Sequence, residues 1–255
     1  MEAMLYKKLP DEKVKCNLCA HQCVIQDSAP EETLVQAMQL GCKSIAYTYT
    51  EPTIFYEYAY DVSQLANDKN IKNIFITNGF ITSEALQKIA PYLDATNVDI
   101  KSFLNNFYKK ICKAKLQPVL DTIKMLNQLG IWIEVTTLVI PTLNDTEQEF
   151  HSTAEFIMSV SREIPWHISA FYPAYKLKYF PSTPFAVLNR ARKIGLETGL
   201  HYVYLDNVTN HRNADTKCPD CGQILIERTN FRIIKNKIQD GYCPNCGREI
   251  AGVGL

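Results

Sequence analysis

Beyond Pro30, short apolar runs rich in β-branched and aromatic residues alternate with longer segments that have apolar residues every three or four positions. The first pattern predicts β-strands and the second predicts amphipathic helices. The predicted strands are 44–49, 73–77, 96–100, 131–140, 167–171 and 202–205. The predicted helices are 31–40, 53–67, 83–92, 116–129, 146–159 and 185–198, with Ser83 as the N-cap of the third.

The predicted strands are apolar on both faces, as strands are when both sides of a sheet are covered. Strand–helix alternation at this spacing predicts a parallel sheet with helical crossovers, either a doubly wound sheet or an open or closed barrel. Both arrangements place their chemistry at the carboxyl ends of the strands. The polar residues at those ends are Thr50, Glu51, Thr77, Asn78, Asp99, Lys101, Asn144, Asp145, His167, Asp206 and Asn207.

Charge and hydropathy exclude several classes of partner. The chain has 27 basic and 27 acidic residues, so no net field favours nucleic acid or an acidic membrane as the main partner. Residues 1–15 contain no apolar core of signal-peptide length, and no later run approaches ~20 apolar residues. We therefore expect a cytoplasmic protein with an N-terminal cysteine segment (1–30), an α/β body (31–210) and a C-terminal cysteine domain (211–255).

Two C-P-x-C-G units near the C-terminus predict a structural metal site. They contribute Cys218, Cys221, Cys243 and Cys246, and the interval between the units is long enough for a β-hairpin. The glycine after each pair permits the tight turn that brings both thiolates around one ion. Four thiolates leave no open position, so we expect closed, structural zinc, with iron or disulfides as the alternatives.

A second group of cysteines lies near the N-terminus. Cys16, Cys19 and Cys23 fall within eight residues, with His21 between the last two. This spacing predicts either zinc bound with the help of the histidine or an iron–sulfur cluster that needs another ligand. The isolated Cys42 and Cys112 are interpreted as small apolar residues in or near the core.

Longer motifs carry a family resemblance. Cys16-x-Leu-Cys19-x-His-x-Cys23-x-Ile and the segment 41–52 (GCKSIAYTYTEP) resemble the radical S-adenosylmethionine (SAM) enzymes of the AmmeMemoRadiSam system, relatives of the pyruvate formate-lyase activating enzymes. The resemblance covers nearly the whole chain. It continues through 77–79 (TNG), 92–94 (YLD), 97–101 (NVDIK), 138–141 (LVIP), 144–145 (ND), 165–167 (PWH), 199–200 (GL), 203–205 (VYL) and both C-P-x-C-G units.

The resemblance implies a partial (β/α)6 barrel that holds a [4Fe–4S] cluster and SAM, with a C-terminal zinc ribbon. In the family the cluster donates an electron to SAM, and the resulting 5′-deoxyadenosyl radical takes a hydrogen atom from the substrate, here a protein or small partner. Seven residues are expected to contact SAM by position: Thr50, Glu51 and Pro52 at its amino group, and Thr77, Asn78, Asp99 and Lys101 beside its carboxylate. Replacing Glu51 by Ala is expected to weaken SAM binding with little loss of thermal stability.

The chain departs from this family in the cluster motif. The defining C-x3-C-x2-C loop is absent from all 255 residues, and Cys16, Cys19 and Cys23 have the reversed spacing C-x2-C-x3-C. Residues 24–30 are too few to supply the first barrel strand, a cluster loop and a return. The barrel is therefore expected to be incomplete at its N-terminal edge.

Smaller departures are Ala20, which stands where the family usually has Pro, and Thr142 and Asp206, which stand where it favours Gly. The residues leave three functions open. The chain is an active hydrogen-abstracting enzyme, an inactive relative or internally deleted product that acts as a SAM- or partner-binding scaffold, or a zinc-ribbon interaction module carried by the barrel.

Overall fold

The computed structural model describes residues 6–8, 13–16, 24–26, 30–208, 214–229 and 232–254. Its first element is an antiparallel sheet of β1 (Tyr6–Lys8), β2 (Lys13–Cys16) and β3 (Val24–Gln26), in that order. Residues 24–30, expected to be too few for a barrel strand and its loop, do contain strand β3. This strand pairs antiparallel with β2 and takes no part in the parallel sheet.

A regular alternation of helices and strands follows, as the sequence pattern predicts. Short 3-10 turns cover Pro52–Phe55, Ala90–Tyr92 and Tyr175–Leu177, and a π-helical turn covers Tyr108–Cys112. In chain order the elements are α1 (Pro30–Gln39), β4 (Ser44–Tyr47), α2 (Tyr56–Asn67), β5 (Lys72–Thr77), α3 (Ser83–Ile89), β6 (Ala95–Asp99), α4 (Asn105–Phe107), α5 (Leu116–Gln128), β7 (Trp132–Val139), α6 (Glu147–Val160), β8 (Trp166–Ala170), α7 (Phe185–Thr198) and β9 (Val203–Asp206).

Strands β4 to β9 form one sheet in which each strand pairs in parallel with the next along the chain. Because all six strands are parallel, their carboxyl ends lie at the same edge of the sheet. Every crossover between them contains a helix. The predicted parallel α/β architecture is confirmed, and each of its six strands coincides with a predicted one to within two residues at either end.

Alternation along β7 shows how the sheet acquires two different faces. Ile133, Val135 and Val139 are buried, whereas Glu134 and Thr136 between them are half-buried. The buried set belongs to a core that also contains residues of α5, α6 and α7. The opposite face borders a cavity of about 1310 Å³, which residues of β5 to β9 and of the C-terminal region line together. The sheet is therefore curved around a cavity, like part of a barrel wall.

The barrel is open at β4, the first strand of the parallel sheet. Within the part of the chain that the structure describes, β4 pairs with β5 alone. Tyr49 and Ile54, just beyond its carboxyl end, are 93% and 74% exposed. Native sheets ordinarily pair, cover or charge such an edge. The expected incompleteness at the N-terminal edge of the barrel is therefore confirmed.

The C-terminal region is a small antiparallel sheet of β10 (Thr216–Lys217), β11 (Ile224–Thr229) and β12 (Arg232–Asn236). Leu225, Ile226 and Ile250 are buried around Cys218 and Cys243. This core contains few apolar side chains, which is typical of modules that a metal ion stabilises. None of the helices that the structure describes is long and apolar enough to cross a bilayer.

Candidate functional site

Glu51 joins the carboxyl ends of β4 and β5. It is 8% exposed, and its carboxylate accepts hydrogen bonds from four donors. The Thr77 hydroxyl donates to Oε1 at 2.6 Å, and the Asn78 backbone N–H donates to Oε2 at 2.8 Å. Thr53 adds weaker bonds from its hydroxyl at 3.2 Å and its N–H at 3.4 Å, so Glu51 also caps the 3-10 turn that begins at Pro52.

These contacts change the expected role of Glu51. A carboxylate has about four acceptor positions, so the protein itself uses most of its capacity. Removing it would leave the Thr77 and Asn78 donors unpaired, at a cost of roughly 1–3 kcal/mol each. We therefore expect Glu51→Ala to lower stability, contrary to the sequence-based expectation of little loss.

A cation and an anion lie side by side at the end of β6. Lys101 Nζ is 2.6 Å from Asp99 Oδ2, and the two side chains are 36% and 25% exposed. The parallel register opposes Thr77 to Val98, so Asp99 lies one residue beyond the Glu51–Thr77 contact on the neighbouring strand. The structure therefore places these predicted residues on one rim, where both charges are accessible.

Asn144 supports the loop that carries Lys101. It is 2% exposed, and its side-chain amide donates to the backbone oxygens of Lys101 at 2.7 Å and Leu138 at 2.8 Å. Its Oδ1 accepts the backbone N–H of Ile140 at 2.6 Å. All three contacts are to backbone, so Asn144 fixes the rim and is not available to a ligand.

A second charged group lies on the cavity face of the sheet. His167 on β8 stands between Glu134 of β7 and Asp206 of β9, with Nε2–Oε2 and Nδ1–Oδ2 distances of 2.9 Å each. Burial alone would lower the pKa of His167, but the two carboxylates outweigh it and raise the pKa to about 9. Burial likewise opposes ionisation of Glu134, yet the contact with His167 lowers the pKa of Glu134. At neutral pH an imidazolium therefore lies between two carboxylates.

The C-terminal sheet of β10 to β12, called the ribbon below, reaches this charged group through Arg228 of β11. The Arg228 guanidinium lies 5.8 Å from the centre of the Tyr204 ring, which is 5.2 Å from the His167 ring. Its charge contributes to the lowered pKa of Glu134.

The sequence analysis placed both His167 and Asp206 at carboxyl ends of strands. Asp206 does end β9, but His167 is the second residue of β8, near its amino end, so that expectation is wrong. Glu134, Tyr204 and Arg228 were not predicted. A charged residue inside an apolar strand could have indicated this group in the sequence, because Glu134 is the one charged residue in the run 131–140.

The four C-terminal cysteines come together as predicted. All four Sγ atoms lie within 4.8 Å of one another, with Cys218–Cys246 at 3.6 Å and Cys221–Cys243 at 3.7 Å. Metal–sulfur bonds of about 2.3 Å in a tetrahedral site put the sulfur atoms ~3.8 Å apart. The glycine after each pair has a positive φ, 71° and 73°, which the tight turn requires. The sulfur positions therefore fit one tetrahedral metal ion.

The N-terminal cysteines are described only in part. Cys16 is the last residue of β2, whereas Cys19 and Cys23 lie outside the described residues. Cys112 packs on the apolar core as expected, but Cys42 is exposed, so the expectation that it lies in or near the core is wrong. Within the described ranges, metal-ligating side chains gather only in the C-terminal group.

Comparisons with known proteins agree with this architecture. The family model of the radical SAM superfamily matches residues 24–157. An uncharacterised protein of Methanocaldococcus jannaschii is 43% identical over 228 residues, which cover 88% of this chain and 68% of the relative. The relative is therefore the longer protein.

Two solved structures share the fold. A domain of the pyruvate-formate lyase-activating enzyme of Bacteroides vulgatus has a TM-score of 0.56 at 17% identity, covering 64% of this chain and 99% of that domain. Streptococcus suis SuiB, solved with its precursor peptide SuiA, has a TM-score of 0.59 at 12% identity, covering 75% of this chain and 45% of SuiB. At these identities the likeness concerns the fold alone.

Proposed function

Since the chain belongs to the radical SAM superfamily, we propose that it is a relative of the AmmeMemoRadiSam enzymes that binds SAM but does not cleave it alone. One contrast carries this proposal. The rim at the ends of β4 to β6 has charged side chains suited to the amino acid group of SAM. The sequence, by contrast, lacks the C-x3-C-x2-C spacing that supplies three thiolates to the cluster in the family that the chain resembles. The role of such a protein is that of a SAM- or partner-binding scaffold.

The amino acid end of SAM is a zwitterion, which an adjacent carboxylate and ammonium group complement. Lys101 would donate to the carboxylate of SAM. The ammonium group of SAM would donate to Asp99 and to the acceptor position of Glu51 that the protein leaves free. Charge-assisted hydrogen bonds in a partly buried site are among the strongest that proteins make. Thr50 is exposed and Asn78 is half-buried, so both remain accessible beside the pair. The buried Pro52 and Thr77 would shape the rim without reaching the ligand.

A [4Fe–4S] cluster, when bound, supplies the electron for SAM cleavage in this superfamily. Cys16 belongs to the separate antiparallel sheet, and the sequence lacks the C-x3-C-x2-C spacing altogether. The competing function is an active enzyme with its cluster at Cys16, Cys19 and Cys23. It is favoured by the presence of three cysteines within eight residues, directly ahead of the matched region 24–157.

The metal at the C-terminal cysteines is proposed to be zinc. Four thiolates with no open position are typical of structural zinc, and the sulfur separations of 3.6 and 3.7 Å agree with its bond lengths. The role of the ion is to organise a ribbon whose apolar core is small.

The proposed partner is a protein or peptide. The cavity of about 1310 Å³ exceeds the usual size of small-molecule sites, roughly 300–1,000 Å³. SuiB, which shares the fold, was solved with a precursor peptide. A polypeptide segment would fill such a cavity better than a metabolite.

Calorimetric titration with SAM tests the binding half of this proposal. Lys101→Gln should weaken binding about ten- to hundredfold, because one charge-assisted bond contributes roughly 1.5–3 kcal/mol. Lys72→Gln is the matched control, since Lys72 forms a similar 2.7 Å pair with Asp94 at the opposite end of the sheet. Equal affinities for all three proteins, or no binding by the wild type, would contradict SAM binding at this rim.

A further inference from the structure

Three cationic side chains line a cleft between the α/β body and the ribbon. The cleft has a volume of about 600 Å³ and is bordered by the end of α7, the start of β9 and the first cysteine turn. Arg162, Arg192 and Lys217 line it together with one carboxylate, Asp215. It lies at the amino end of β9, whereas the proposed SAM rim lies at the carboxyl ends of β4 to β6. The two sites are therefore separate.

In the part of the chain that the structure describes, the cations of this cleft lack the carboxylate partners that Arg190 and Arg248 have. Arg190 and Arg248 each pair with carboxylates, at distances between 3.0 and 3.2 Å. Within the described ranges, by contrast, the side chains of Arg162 and Lys217 have no polar partner, and Arg192 donates only from Nε to a backbone oxygen of β9 at 3.2 Å. Arg162 and Lys217 therefore line this cleft without a neighbouring carboxylate among the described residues to neutralise them.

Among the residues that the structure describes, neither Arg192 nor Asp215 forms an ion pair inside the cleft. Burial lowers the pKa of Arg192, so its charge is partly desolvated without a compensating anion. Asp215 is 8% exposed and already accepts the backbone N–H of Arg228 at 2.7 Å. Three positive side chains and a single carboxylate side chain line the cleft, so an anionic phosphate group would be attracted to the side where the cations lie.

We propose that this cleft binds the phosphate group of a small phosphorylated ligand, with Arg162, Arg192 and Lys217 as its contacts. The volume of about 600 Å³ is within the range of small-molecule sites. The bond from Arg192 Nε fixes that guanidinium and leaves its two terminal nitrogens for the planar, paired contact that arginine makes with phosphate oxygens. Arg162 and Lys217 supply the remaining charge from the barrel side and the ribbon side. A bound phosphate would thus connect the two parts of the protein.

Titration of the full, metal-loaded chain with orthophosphate, at an ionic strength held constant with sodium chloride, tests this site by calorimetry or amide NMR shifts. Arg162→Gln and Lys217→Gln should each weaken phosphate binding by about tenfold, the effect of losing one charge-assisted contact. Neither side chain holds the fold together among the described residues, so both variants should remain folded. Arg190→Gln is the matched control, because Arg190 shares α7 with Arg192 but pairs with Glu147, and it should bind phosphate like the wild type.

Equal phosphate affinities in the wild type and all three variants would overturn the proposal, and so would shifts that chloride alone reproduces. A second titration with adenosine monophosphate and with a short single-stranded RNA distinguishes the source of the phosphate. Binding of the mononucleotide that is lost in Arg162→Gln supports a small ligand. If only the RNA binds, and its affinity falls steeply with salt concentration, the ligand of this cleft is a nucleic acid and the small-ligand proposal is wrong.

Discussion

Replacing Asp206 by Asn removes one of the two charges around His167 while keeping an oxygen that can accept from Nδ1. The pKa of His167 is raised from 6.5 to about 9, which corresponds to about 3.4 kcal/mol in favour of the imidazolium. Glu134 and Asp206 are 36% and 40% exposed, so solvent screens both and this figure is an upper limit. If the loss of the Asp206 charge removes half of this net rise, the pKa of His167 in Asp206→Asn should fall to about 8.

The same interaction predicts a pH dependence of stability. His167 binds its proton more tightly in the folded than in the unfolded protein, so its contribution is complete below pH 6.5 and is lost as the pH rises through about 9. The variant retains only part of this contribution. The difference in unfolding free energy between wild type and Asp206→Asn should therefore shrink from pH 6 to pH 10, by up to about 1.7 kcal/mol.

An NMR titration of the imidazole Cε1–H signals measures the pKa of His167 directly, with His167→Gln identifying the resonance. Asp121→Asn makes the same charge change at an exposed site on α5 and should leave the pKa at about 9. A pKa of His167 that does not move in Asp206→Asn would refute the reasoning. A wild-type pKa near 6.5 would refute it as well.

Three further predictions concern backbone conformation and the metal. Thr142 has a φ of +68°, where a β-branched residue is strained, so Thr142→Gly should stabilise the protein by roughly 0.5–2 kcal/mol in denaturant unfolding. Gly79 has a φ of +71°, and an added Cβ would lie 2.7 Å from Val98 Cγ1, so Gly79→Ala should cost roughly 2–4 kcal/mol. Gly41→Ala is its control, with a similar φ of +66° but open space, and should cost only ~1–2 kcal/mol; equal losses would exclude the steric contribution. Cys243→Ser should lower the metal content measured by elemental analysis and make the ribbon protease-sensitive; a metal-free chain with a resistant ribbon would contradict this.

Strands β4 to β9 could be predicted because apolar periodicity is a local signal that a single sequence contains. Their parallel arrangement could be predicted because a helix follows each strand but the last. The helix starts were harder to place. Ser83 was the predicted N-cap of α3, yet Thr82 is the residue whose side chain accepts the Ala85 N–H, at 3.3 Å. Two adjacent hydroxyl residues both satisfy the sequence rule, and only the chain direction entering the helix decides between them.

The site could be predicted as a set of strand-end residues but not as a network of contacts. The His167 group joins three strands, and its partner Glu134 depends on the register of β7 against β8. The number of donors around Glu51 depends likewise on how closely β4 and β5 end together. Sequence motifs give residue types and spacing, whereas the number of donors around a carboxylate is set by tertiary packing.

SAM binding without cleavage is tested most directly by one anaerobic assay. The full chain is reconstituted with iron and sulfide, supplied with reductant and SAM, and analysed for 5′-deoxyadenosine by mass spectrometry, with SAM retention measured on the same sample. We predict that the protein retains SAM and forms no 5′-deoxyadenosine above a protein-free control. Several turnovers per chain, abolished by replacing Cys16, Cys19 or Cys23 with Ser, would contradict the proposal and identify those residues as cluster ligands.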